Sequence, residues 1–140
     1  MMNTFMGNFG HLTTLVAFVS ALITAFAYSQ YFRANELEKA SWQRFSRVSF
    51  YIHALSTSLI AVSLFEIIYN QRYEYFYAYS HSSKALPVHY MISSFWEGQE
   101  GAFILWAFWN VVLGLILVHT NKFWEAPVMV VFSLVQAFLI

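Results

Sequence analysis

The sequence predicts an all-α membrane protein with four transmembrane helices, the fourth truncated, and a structured extracytoplasmic loop between helices 2 and 3. Three observations predict this fold class: the composition, the long uncharged runs and the placement of the basic residues. Of the 140 residues, 59% are hydrophobic, 21% are aromatic and 10% are charged, whereas soluble domains carry charge at roughly 25% of positions. A chain of this composition has too few charged residues to cover a surface that faces water, and a soluble domain is therefore excluded.

Uncharged runs locate the helices. The runs 12–32 and 101–121 each hold 21 residues, enough at a rise of about 1.5 Å per residue to cross a hydrocarbon core about 30 Å thick. The run 48–65 holds 18 residues, and the run 126–140 holds 15 and is still apolar at its end. We therefore expect residues 1–140 to be a single N-terminal transmembrane segment of a longer protein. The expected elements are helices at about 12–32, 46–69, 101–120 and 124–140, with an outer loop at 70–100.

The basic residues orient these helices in the membrane. Four of the seven Lys and Arg residues lie in the connection between the first two helices, whereas the longer segment 70–100 holds two. Short loops rich in Lys and Arg stay in the cytoplasm. The first connection is therefore predicted to be cytoplasmic, and the N-terminus and the loop 70–100 are predicted to be extracytoplasmic.

Small and polar residues share one face of each helix, and such faces allow close packing between membrane helices. In the third helix, Asn110 lies in the middle of the span with Gly114 one turn on, which predicts an interhelical contact. The face of the first helix comprises Thr13, Ala17, Ser20, Thr24 and Tyr28. The stripe of the second helix comprises Ser49, His53, Ser56 and Ser63, and we expect it to look inward, toward protein.

The loop between the second and third helices is unusually aromatic. Tyrosines occupy every second position from 73 to 79, a period-two pattern that favours an extended stretch. Pro87 keeps a helix from running through the residue before it, and 88–95 is predicted to form a short amphipathic helix along the membrane surface. A disordered linker would not normally be so aromatic, which favours a compact, structured loop.

The side chains exclude several chemistries. Seven basic and seven acidic residues balance, so nothing indicates a nucleic-acid partner. There is no cysteine, which excludes thiolate metal sites and thiol nucleophiles within this chain. No histidine pair has metal-binding helical spacing, and there is no phosphate loop or nucleophile elbow. No metal site and no catalytic residue is predicted.

The histidines are the candidate cofactor ligands. An ionisable residue inside a membrane span indicates a functional site by default, and neutral imidazole is a common axial ligand of haem, so His53 is a possible haem ligand. A hydrogen bond to a neighbouring helix is the alternative role for His53. His81 and His89 lie in the outer loop, where histidines are usually just solvated.

The strongest motif enters the third helix. Residues 82–90 read SSKALPVHY and residues 94–106 read SFWEGQEGAFILW. In order and spacing they resemble the N-terminal region of the cytochrome c maturation protein F family, in which a Leu-Pro pair and an aromatic pair precede a W-G-x-H-E-G-S-x-L-L-W signature. The sequence departs from that signature at Glu97, Gln99 and Ala102, where the family commonly has Gly, His and Ser. The motif positions are Leu86, Pro87, Trp96, Gly98, Gln99, Glu100, Gly101 and Trp106.

The resemblance covers essentially the whole chain and implies a function. It implies the membrane part of a cytochrome c haem lyase that helps transfer haem to apocytochrome c on the outer face of a bacterial cytoplasmic (inner) membrane, with the loop in the periplasm. Haem is the implied cofactor, and the implied delivery of haem at the outer loop makes His81 and His89 candidate haem ligands. The implied partners are apocytochrome c, haem-delivery proteins and the rest of the chain or other membrane subunits. The family's tryptophan-rich haem-binding motif is absent from these residues.

Two roles stay open for the motif, and two other functions for the chain. Glu100 either only caps the third helix, where helix amides favour a carboxylate, or also docks a partner. Trp96 and Trp106 are either interfacial anchors or stack on haem. The alternative functions are a transporter or channel subunit that uses the polar stripe of the second helix, and a structural scaffold of a membrane complex. Whether the chain belongs to an enzyme stays open.

Overall fold

The computed structural model of the protein describes residues 5–70, 87, 89–90, 93 and 98–140. The described part folds into helices, with the bounds α1 (Phe5–Arg33), α2 (Glu36–Tyr69), α3 (Gln99–Thr120) and α4 (Glu125–Leu139). Helices α1, α2 and α3 are long and apolar enough to cross a membrane, and α4 is a shorter apolar helix. The prediction of an all-α membrane protein is confirmed. That α4 also crosses the membrane stays a prediction.

The helices form a ring of neighbours. Helix α1 packs against α2 and α4, and helix α3 packs against the same two helices. The short connection at 34–35 makes α1 and α2 an antiparallel hairpin, and the connection at 121–124 does the same for α3 and α4. Such a pair is the helical counterpart of the β-hairpin. Most of the predicted outer loop 70–100 lies outside the described residues.

Helix α2 begins earlier than predicted, at Glu36 rather than near residue 46. Uncharged runs identify only the part of a helix that lies in hydrocarbon, and they miss a charged extension. Glu36 and Glu38 lie in the first turn of α2, where the positive end of the helix dipole favours carboxylates. The amides of Glu38 and Lys39 both donate to the carbonyl of Asn35, the N-cap residue. The extension is therefore a regular helix start.

The small and polar faces predicted for the first two helices are confirmed. All five residues predicted for the face of α1 are buried, and so are the four residues of the α2 stripe. Most of their hydroxyls donate within their own helix, as Ser20 does to the carbonyl of Val16 and Ser63 to that of Leu59. Because most of these hydroxyls are satisfied within their own helix, the small side chains let the backbones of neighbouring helices approach closely.

All four helices contribute to the apolar core, and three of them meet at Gly114 of α3. A Cβ atom at Gly114 would collide with the ring of Phe50 on α2 and would lie 2.9 Å from Cε1 of Phe132 on α4. Only a residue without a side chain fits between these rings. The buried core cluster comprises Tyr28, Phe50, Val118, Ala126 and Met129.

Candidate functional site

A buried carboxylate lies at the start of α4. Glu125 is 2% exposed, and the guanidinium of Arg47 on α2 contacts both of its oxygens. Nε donates to Oε1 at 2.8 Å and Nη2 donates to Oε2 at 2.7 Å. This two-point geometry is the strong form of the Arg–carboxylate interaction. The negative charge of Glu125 is thus compensated where water does not reach it.

Two further side chains complete the cluster. The hydroxyl of Tyr28 on α1 donates to Oε1 of Glu125 at 3.1 Å, and the amide of Gln43 on α2 lies 3.4 Å from Oε2. Glu125 also occupies the first turn of α4, where the helix amides favour a negative charge. One carboxylate therefore joins α1, α2 and α4. The arrangement fixes helices in place, and we assign it no catalytic role.

Sequence reasoning missed this site. It counted Arg47 only as a basic residue of the first connection and began the fourth uncharged run after Glu125. A usable signal existed, because an Arg inside the helical register of α2 and a Glu at the start of an apolar helix both need partners. What the sequence does not show is that α2 and α4 bring the two residues together.

His53 lies inside the contact between α1 and α2. Its ring is 1% exposed, and Nδ1 lies 2.8 Å from the carbonyl oxygen of Ala17. Because a carbonyl can only accept, Nδ1 carries the proton, and Nε2 is left to accept from the hydroxyl of Thr57 at 3.4 Å. An iron atom could reach Nε2 only if the helices separated. The closed bundle does not fit a haem at this position.

The outer-loop histidines have a different setting. His89 is exposed, and its ring centre lies 4.4 Å from that of Tyr90. His89, Tyr90 and Ser93 are helical, and the Ser93 hydroxyl donates to the carbonyl of His89 at 3.2 Å. His81 lies outside the described residues. Among the residues that the structure describes, no group of three His, Asp or Glu side chains could hold a metal ion.

The motif residues mark the start of α3. Gly98 is its N-cap, with extended backbone and its carbonyl accepting from the amide of Ala102 at 3.1 Å. Gly98 and Gly101 are buried, whereas Gln99 and Trp106 are exposed. Glu100 follows in the first turn of the helix, and Pro87 is exposed before it. Leu86 and Trp96 lie outside the described residues.

An apolar cavity of about 450 Å³ opens beside this helix start. All four helices contribute to its wall, among them Thr14 of α1, Ile60 of α2 and Phe103 and Ile104 of α3. Its volume falls in the range of about 300–1,000 Å³ typical of ligand pockets. The motif therefore enters the membrane next to an apolar cleft.

The comparisons with known proteins bear on the fold. No protein-family model and no curated protein matches the sequence. Among solved structures, the chain is similar to one described as cytochrome c haem lyase CcmF, with a TM-score of 0.84 and 16% sequence identity. The match covers 96% of this chain and 23% of that chain. The predicted resemblance is thus confirmed as a shared fold, and the chain spans about a quarter of the length of the structure it matches.

Proposed function

We propose that this chain is the N-terminal membrane part of a cytochrome c haem lyase, which helps transfer haem to apocytochrome c on the outer face of a bacterial inner membrane. The observation that carries the proposal is the shared fold with cytochrome c haem lyase CcmF across 96% of the chain. The motif that resembles this family enters α3, and the fold likeness includes that helix.

The described residues suit a positioning role in such a reaction. Haem and the thiols of the apocytochrome carry the chemistry, and the protein supplies binding and orientation. The Glu125 cluster and the Gly114 contact hold the four helices in one arrangement, and that arrangement fixes the start of α3 at Gly98. In the proposed topology, Gly98 and His89 lie on the outer side, where the apocytochrome and the haem-delivery proteins would meet them.

The proposal assigns roles to the outer residues. His81 and His89 are the proposed haem contacts of the loop, and Trp96 and Trp106 are proposed to border the bound haem or the apocytochrome. His53 is proposed as a packing residue, because its ring already joins two helices through the Ala17 carbonyl.

Deletion of the gene tests the function. Covalently bound haem, measured by haem staining of membrane and periplasmic proteins on denaturing gels, should disappear from c-type cytochromes and return with the intact gene. Haem that is bound without covalent bonds, as in b-type cytochromes, is the internal control and should stay unchanged. Normal c-type cytochromes in the deletion strain would overturn the proposal. A parallel loss of both classes would indicate a general scaffold instead.

A pair of histidine variants tests the role of the outer loop. His89→Ala should lower c-type cytochrome formation, whereas His119→Ala, at the opposite end of α3, should not. Both histidines are exposed, and His119 already holds the carbonyl of Leu115 through Nδ1 at 2.7 Å. Equal effects of the two substitutions, at equal protein levels, would remove His89 from the proposal.

A further inference from the structure

Asn110 is a polar residue in the middle of α3 whose amide has no hydrogen-bond partner among the residues that the structure describes. The side chain is half-buried, and within the described part of the chain no hydrogen bond reaches it. Among the other polar side chains of the helices, Thr24 donates to the carbonyl of Ser20 at 2.6 Å and Gln136 donates to that of Ala107 at 3.1 Å. Within the described part of the chain, the buried hydroxyl of Ser133 also lacks a partner. In the described part of the chain, Asn110 therefore makes no hydrogen bond to α1, α2 or α4.

An unpartnered amide is costly at this depth. The Asn side chain offers two N–H donors and a carbonyl acceptor, and lipid acyl chains can neither donate to nor accept from them. Polar side chains in membrane helices consequently tend to face protein or water and to bond across helices. The missing partner of Asn110 thus indicates that lipid does not cover this position.

The residues around Asn110 form a regular seam. Trp106 and Leu113 are 61% and 53% exposed, and Leu117 is half-buried on the same side. The spacing 106, 110, 113 and 117 alternates four and three residues, which is the a/d pattern by which one helix packs along another. Helix α3 is also the least covered of the three long helices, since 28% of its most apolar stretch of 18 residues is buried, against 44% for each of the other two.

We propose that this seam, Trp106–Asn110–Leu113–Leu117, docks a further transmembrane helix of different sequence that carries an amide or hydroxyl side chain at the depth of Asn110. A protein helix is favoured over lipid because a helix can supply a hydrogen-bond partner for Asn110, whereas lipid acyl chains cannot. A helix from outside this four-helix unit is favoured over a second copy because the same fold makes up 23% of the much longer CcmF chain. The proposal rests on that fold likeness and does not depend on haem transfer.

Spin labelling of single cysteines tests the seam. Residues 1–140 contain no cysteine. With any cysteine elsewhere in the full-length protein replaced by serine, Leu113→Cys and Leu55→Cys can each carry one nitroxide. Leu55 is the matched control: it is a 63% exposed leucine in the middle of α2. The intact protein is extracted with its surrounding membrane into polymer-bounded discs, and collision of the label with oxygen is measured by electron paramagnetic resonance.

The expected result is that oxygen reaches the label at 113 severalfold less than the label at 55. Asn110→Leu should raise the accessibility at 113 to the level at 55, whereas Asn110→Gln, which keeps an amide, should preserve the shielding. An unchanged value at 55 shows that the bundle itself is intact. Equal accessibility at both sites without any further substitution, or no response to Asn110→Leu, would overturn the proposal. Dipolar broadening between two labels at 113 would identify a second copy and would overturn it as well. These outcomes do not depend on cytochrome formation.

Discussion

The guanidinium of Arg47 and the carboxylate of Glu125 form a two-point ion pair that ties α2 to α4, with N–O distances of 2.8 Å and 2.7 Å. The carboxylate side chain is fully buried, and the arginine side chain is 30% exposed. Removing a charge from water is costly, and such a pair holds only when its hydrogen-bonding groups are satisfied. Here Tyr28 supplies a further donor from α1, so the pair acts as the joint of three helices.

Loss of Arg47 alone should therefore destabilise the bundle strongly. Arg47→Met leaves a buried carboxylate without its cation, and we expect the free energy of unfolding to fall by about 3 kcal/mol. The measurement is unfolding of the purified protein in mixed micelles with increasing denaturing detergent. Lys39→Met is the control, because it breaks the exposed pair with Glu36, and such pairs contribute at most about 1 kcal/mol.

The double variant Arg47→Met/Glu125→Leu sharpens this prediction. It removes both charges together, so it should be clearly more stable than Arg47→Met alone. The decreases in the free energy of unfolding caused by Arg47→Met and by Glu125→Leu should not simply add in the double variant. Additive decreases, or equal stability of the Lys39 and Arg47 variants, would mean that the ion pair does not hold the helices together.

Substitution of Gly114 should be equally damaging for a different reason. In Gly114→Ala the new methyl group meets the Phe50 ring, and Phe132 lies 2.9 Å from the position of Cβ. Overpacking of this kind typically costs about 1–3 kcal/mol. Gly10→Ala is the matched control, since nothing lies within 4 Å of a Cβ built on that helical glycine. Thermal unfolding should therefore show a lower midpoint for Gly114→Ala and no decrease for Gly10→Ala. If Gly10→Ala lowered the midpoint and Gly114→Ala did not, the rings of Phe50 and Phe132 would be able to move aside.

Much of the fold could be predicted because the hydrocarbon core of a membrane allows few backbone conformations. Backbone polar groups in hydrocarbon must be satisfied internally, which leaves helices as the simplest solution for long apolar runs. For the same reason the small face of α1 and the polar stripe of α2 identified the helix surfaces that pack together. The start of α2 at Glu36 was missed because a charged helical turn outside the hydrocarbon looks like a loop when only uncharged runs are counted.

The site was harder to predict than the fold. The partners Arg47 and Glu125 are 78 residues apart in the chain, and the sequence alone does not determine that α4 returns beside α1. Asn110 shows the converse difficulty, since its position in the middle of the span predicts an interhelical contact, but its side chain makes no hydrogen bond within the described helices. The outer motif was recognised by its order of residues, whereas Leu86, Trp96 and His81 lie outside the described part of the structure.

The topology can be tested with single cysteines. Ser82→Cys in the outer loop should react with a membrane-impermeant thiol reagent in intact spheroplasts, because the basic residues that flank the connection at 34–35, Arg33 and Lys39 among them, place that connection in the cytoplasm by the positive-inside rule. Asn35→Cys is the control and should react only after lysis. Asn35 is exposed and its side chain makes no capping hydrogen bond, so substitution there should leave α2 intact. Reaction of position 35 alone in intact spheroplasts would invert the proposed orientation.

Two independent measurements, of stability and of the haem spectrum, distinguish whether His53 is a packing residue or a haem ligand. His53→Phe keeps a ring of similar size but loses the hydrogen bond to the Ala17 carbonyl, and we expect the free energy of unfolding to fall by about 1 kcal/mol, as for other interhelical bonds in membranes. The absorption spectrum of haem bound to the intact protein should stay unchanged. Ser63→Ala serves as control, because its hydroxyl bonds only within α2 and its loss should cost little. If the low-spin haem bands disappeared while stability was retained, His53 would be an iron ligand, and the closed arrangement of α1 and α2 would have to open when haem binds.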